Sequence, residues 1–117
     1  MKLYRIISKE EWLISKNEGK VPRCKSDERD NCIHLNKYED ITLVTNKYFV
    51  KEEEPVVTEV DSPRFEDKLK WEAPTPDKPW LQPNLFIENI PFNTISRFCY
   101  LTFNNRTESF EIQKSFK

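Results

Sequence analysis

The 117-residue chain predicts an α+β fold, and three observations carry that expectation. Strand and helix character alternate through the first half, in the order strand, helix, strand, helix. The second half holds only strand-like runs. Within that half, Ala73–Pro83 contains four of the eight prolines, a density that excludes helix and reads as an ordered surface loop. Helices gathered at one end of a chain of strands give a mostly antiparallel sheet rather than alternating βαβ units.

Lys2–Ile7 reads as the first strand. Ser8 with Glu11 three residues on forms a capping box, which predicts a helix from about Lys9 to Asn17 closed by Gly19. Trp12 and Leu13 are its expected inward residues. The mixed-charge run Arg23–Asn31 reads as a solvated loop. Cys32–Leu35 alternates as a strand, and Asn36 with Glu39 predicts the start of a second helix, Lys37 to about Phe49. Tyr38, Ile41, Val44 and Tyr48 form its apolar stripe. Pro55–Asp61 has β-branched strand character, and Lys68–Glu72 predicts a further strand with Leu69 and Trp71 on one face. Leu85–Ile87 is a short extended element. Ile95–Phe103 and the alternating tail Arg106–Gln113 complete the strands, the last as an edge.

Composition bounds the function. One domain over residues 1–117 buries roughly 65% of its unfolded surface. With 19 basic and 20 acidic residues the net charge is −1, which gives no footprint for non-specific nucleic-acid binding. No apolar run approaches a membrane span, and the first residues lack signal-peptide character, so a cytoplasmic location is the default expectation. Cys24, Cys32 and Cys99 include no C-x-x-C pair, so structural thiols in a reducing compartment are expected and no metal site. Gly19 is the single glycine, which excludes Gly-rich phosphate loops. Any phosphate must be held by side chains or a helix N-terminus.

The chemistry-bearing residue is His34, the only histidine, set between Ile33 and Leu35 near the end of a strand. Its side chain changes charge near neutrality, and the alternation turns its ring away from the face of Ile33 and Leu35.

The ordered series Leu3-Tyr4-Arg5-Ile6-Ile7, Glu11-Trp12 and Asp30-Asn31-Cys32-Ile33-His34-Leu35-Asn36 resembles the family catalogued as domain of unknown function 952. The likeness continues through Thr45-Asn46-Lys47-Tyr48-Phe49, Val57–Asp61, Leu69-Lys70-Trp71-Glu72 and Ile90-Pro91-Phe92, covering about residues 3–103. That family looks related to the ADP-ribosyltransferase fold, especially RNA 2′-phosphotransferases. The resemblance implies a small split antiparallel sheet with two N-terminal helices and a cleft for NAD, ADP-ribose or another nucleotide-type ligand. No cofactor is certain from it.

Carried over by position, His34 and Asn36 line the cleft, with Tyr4 and Arg5 facing them from the first strand. Arg5 is the expected bidentate grip on a diphosphate. Trp80 is the expected stacking surface for a base. Glu72 is the expected ribose-holding carboxylate and, with His34, the catalytic candidate. The family has a histidine where Arg5 stands, and a Pro-His-Leu-Tyr-Gly stretch where Pro79-Trp80-Leu81-Gln82-Pro83 stands. Two histidines are therefore absent. An active protein of this type is a transferase; the rival expectation is a non-catalytic protein-interaction module that keeps the fold and presents loop aromatics to a protein partner.

Overall fold

The computed structural model describes residues 2–116. The chain begins with β1 (Leu3–Ile7), α1 (Lys9–Glu18), β2 (Lys20–Pro22), α2 (Lys25–Asp30), β3 (Ile33–His34) and α3 (Ile41–Tyr48). It continues with β4 (Val56–Val60), β5 (Leu69–Glu72), β6 (Gln82–Leu85), β7 (Asn89–Pro91), β8 (Ile95–Tyr100), β9 (Thr102–Asn104) and β10 (Ser109–Glu111). Among the described residues no helix is long and apolar enough to cross a membrane.

Two three-stranded antiparallel sheets carry the molecule, in the orders β1-β4-β8 and β3-β6-β5. Among the described residues a single bridge joins them: Tyr4 N–H donates to the Asn36 carbonyl at 2.9 Å and Asn36 N–H to the Tyr4 carbonyl at 2.8 Å. The pairs β2–β7 and β9–β10 are small antiparallel ribbons at the periphery. The α+β expectation holds in this form, a sheet split into two halves.

Both faces of the first sheet are covered, so β1 and β4 are buried along their whole length. Leu3, Ile7, Val56 and Val60 pack with Trp12, Ile33, Leu35, Leu85 and Ile90 in one cluster. Tyr4, Ile6 and Val57 pack with Ile41, Val44, Trp80, Leu101, Phe110 and Phe116 in the other. Each fully buried aliphatic side chain contributes roughly 1.5–3 kcal/mol before ordering costs.

The capping box at Ser8 forms as expected, with Glu11 N–H donating to Ser8 Oγ and Ser8 N–H to Glu11 Oε1, both at 3.1 Å. Gly19 closes α1 at φ 79°, the left-handed conformation that costs glycine nothing. Trp12 is buried, but Leu13 faces solvent.

Three further readings of the sequence change. The charged run Arg23–Asn31 is not a solvated loop: it contains α2, whose Asp27 is fully buried. Asn36 does not cap the second helix. Its backbone is spent on the bridge to Tyr4, and a 3₁₀ turn at Tyr38–Asp40 precedes α3. Pro83 lies inside β6, the middle strand of its sheet, where its carbonyl accepts from Leu35 N–H at 2.9 Å. Proline can sit there because it gives up only a donor, never the acceptor the ladder uses at this position.

Candidate functional site

The site begins where β1 and β3 part. Beyond the bridge at Tyr4 and Asn36, the backbone groups of His34 point toward β1 but meet no strand. A buried donor or acceptor left alone costs as much as a lost hydrogen bond. Two side chains repair the gap. Asp27 Oδ1 accepts from His34 N–H at 3.1 Å, and Arg5 Nη1 donates to the His34 carbonyl at 2.9 Å. Arg5 and Asp27 then close on each other, Nη2 to Oδ2 at 2.5 Å and Nη1 to Oδ1 at 3.3 Å. The split is therefore plugged by an ion pair.

Asp27 is the hub. Besides Arg5 and His34 N–H, its carboxylate faces His34 Nδ1 at 2.8 Å and accepts from Cys24 N–H at 2.9 Å. Burial pushes the Asp27 carboxyl up. Hydrogen bonds from His34 and the charge and hydrogen bonds of Arg5 outweigh that push, so it is held far below the usual carboxylate range. For Arg5, burial disfavours the charge, yet Asp27 raises the guanidinium above its ordinary value. The other His34 nitrogen, Nε2, lies 2.9 Å from Asp30 Oδ2, one helical turn before it in sequence. A ring facing carboxylates through both nitrogens donates to both only as the imidazolium.

A cleft of about 470 Å³ opens beside this plug. His34, Asn36 and Gln82 contribute polar groups to it, with Val44, Tyr48, Phe49 and Trp80 as an apolar wall and Arg29 and Lys78 as cations. Its size suits a small organic ligand. Gln82 is internally satisfied: Nε2 donates to the Leu35 carbonyl at 2.5 Å, and Oε1 accepts from Trp80 Nε1 at 2.9 Å. Asn36 differs. Its side chain is only 7% exposed and makes no hydrogen bond among the described residues.

The structure brings Arg5, His34, Asn36 and Trp80 to one cleft, and leaves Tyr4 and Glu72 out of its lining. Tyr4 points into the second core cluster, where its ring meets Tyr38 and Phe116 edge-on or tilted, each at 5.9 Å. Only its backbone takes part, through the bridge. Glu72 is exposed at the end of β5, opposite Gln82 across the ladder. The diphosphate grip expected of Arg5 is not available, because both terminal nitrogens are committed to Asp27 and His34. Trp80 is not an exposed stacking surface: it is 5% exposed, with Tyr48 edge-on at 6.4 Å and Lys47 Nζ 5.6 Å from its ring centroid.

Sequence reasoning missed Asp27 and Asp30. The signal was present in two spacings. Asp27 stands three residues after Cys24, where a carboxylate caps its own helix start, and Asp30 stands four before His34.

The family described as "Protein of unknown function (DUF952)" matches residues 6–97. The chain belongs to the DUF952 family. The crystal structure of protein CC0527 from Caulobacter crescentus shares its fold, with a TM-score of 0.81 at 23% identity over 95% of this chain and 94% of that one. The solution NMR structure of CC0527 gives a TM-score of 0.75 at 24% identity, covering 92% and 90% of the two chains. No curated protein matches. At this identity the likeness establishes the fold alone, and the function rests on the cleft.

Proposed function

We propose that the cleft binds a nucleotide-type ligand, NAD, ADP-ribose or a relative, and holds it without transferring any part of it. The observation that carries this reading is the convergence of a carboxamide without a partner among the described residues (Asn36), an apolar and aromatic wall and two cations, Lys78 and the Asp30-paired but exposed Arg29, on one cleft of about 470 Å³. Those are the three things such a ligand asks for: an edge reader, an apolar surface and positive charge near the phosphates.

The absence of transfer follows from how the remaining groups are spent. Both terminal nitrogens of Arg5 are committed to Asp27 and the His34 carbonyl, and both His34 ring nitrogens face aspartates. Glu72, the residue expected to hold a ribose, faces solvent away from the cleft. The alternative of an interaction module keeps the missing histidines and the proline-rich loop as its support, and loses only Trp80, which is packed into the core.

Thermal unfolding and tryptophan fluorescence with NAD and with ADP-ribose test the reading. A ligand that binds only the native state at 100 times its Kd adds about 2.7 kcal/mol, which raises the midpoint by several degrees. Both signals are expected to move, with no release of free nicotinamide from NAD. Flat signals at millimolar ligand sink the proposal, and nicotinamide release sinks its non-catalytic part.

A further inference from the structure

We infer that Asn36 is the specificity-determining residue of the cleft, and that it reads the hydrogen-bonding edge of a nucleobase inserted base-first. The inference rests on the nucleotide reading above and adds which end of the ligand enters and what selects it.

The backbone of Asn36 is fixed on both sides by the Tyr4 bridge, so its side chain is placed by the seam of the sheet rather than by a mobile loop. More than nine-tenths buried and lining the cleft, the carboxamide offers an N–H donor beside a carbonyl acceptor, with neither used among the described residues. A buried polar group in that state gains most from a ligand that satisfies both halves at once. An edge with one acceptor next to one donor does so, as adenine presents at N1 and its 6-amino group. Most other polar groups of the cleft are already engaged; among the described residues Arg5 Nε, the Lys78 ammonium and the exposed Tyr48 hydroxyl are the exceptions, and none of them pairs a donor with an acceptor as a carboxamide does. Glu11 and Glu53 accept from Ser8 N–H and Val50 N–H, Gln82 bonds Trp80 and Leu35, and His34 bonds Asp27 and Asp30.

Burial sets the direction. Asn36 is buried, while Arg29 is exposed and Lys78 half-exposed on the same cleft. A ligand spanning them puts its planar, weakly charged end at Asn36 and its phosphates at the cations, where solvent still screens them. The wall of Val44, Tyr48 and Phe49 flanks the base.

The test uses AMP and GMP with the full chain, by titration calorimetry, on the wild type, Asn36→Ala and Asn36→Asp. A bidentate base contact is worth about 1–3 kcal/mol, which is roughly 5- to 150-fold in Kd. Asn36→Ala is therefore expected to weaken AMP at least fivefold with far-UV structure unchanged, since the bridge to Tyr4 uses backbone only. Asn36→Asp can only accept, so it is expected to lose AMP and to favour GMP, whose base offers two adjacent donors. AMP affinity unchanged in Asn36→Ala, or an unaltered AMP-to-GMP ratio in Asn36→Asp, overturns the assignment while leaving the binding function standing. A wild type that binds AMP, GMP, NAD and ADP-ribose not at all overturns both.

Discussion

Arg5 shows how a residue expected to grip a ligand becomes part of the frame. Its fork neutralises Asp27 and completes the hydrogen bonding of His34, all inside the protein. Removing one partner of a buried ion pair leaves the other charge stranded. Arg5→Ala is accordingly expected to cost about 3–5 kcal/mol in urea unfolding, and Arg5→Lys to recover little because an ammonium cannot reproduce the fork. A loss below about 1 kcal/mol would show that the seam closes without the pair. Which role an arginine takes was not legible in Leu3-Tyr4-Arg5-Ile6-Ile7, because the partner lies 22 residues away in a segment that reads as exposed.

At the scale of elements, α1 is where local sequence and structure agree most closely. Its start is written in Ser8 and Glu11 and its end in Gly19, each a contact within a few residues. Ser8→Ala is expected to cost about 1 kcal/mol, measured as a lower denaturation midpoint at unchanged m-value. α2 is the opposite case. Its six residues, Lys25–Asp30, carry five charges and offer no apolar stripe, so periodicity cannot find it. It exists because Asp27 is drawn into the seam by Arg5 and His34, and because Asn31 turns the chain at φ 54°. The helical stripe of Ile41 and Val44 was legible, since it packs directly on the core. The start of that helix was not, since Asn36 is held extended by a strand 32 positions earlier.

For the whole molecule, the buried carboxylates set the response to acid. Burial alone would raise Asp27 and Glu59. Hydrogen bonds and charge from His34 and Arg5 lower the first, and those from Arg97 and Ser96 lower the second. A carboxyl lowered by folding binds fewer protons in the native state than in the unfolded chain. Its stabilisation is fully present above the unfolded value, near pH 4, and is lost as the pH falls through the folded one. The melting temperature is therefore expected to fall from about pH 5 downward, and to fall less steeply in Asp27→Asn, although that variant starts from a lower value at pH 7. Parallel curves for the two proteins would remove Asp27 as the main acid-sensitive group.

By itself the sequence determined the α+β class, the first helix with both its caps, the central strands Leu3–Ile7 and Val56–Val60, and His34 and Asn36 as residues of interest. These follow from contacts close in sequence or from apolar patterning, which physical chemistry lets one read along a single strand or helix face. Only the tertiary structure decided that the sheet splits beside His34, that Asp27 and Arg5 fill the split, that Trp80 packs inward, and that Tyr4 and Glu72 leave the cleft. Each of those outcomes depends on which distant segment satisfies a buried charge or backbone group, and such pairings have no periodicity to read.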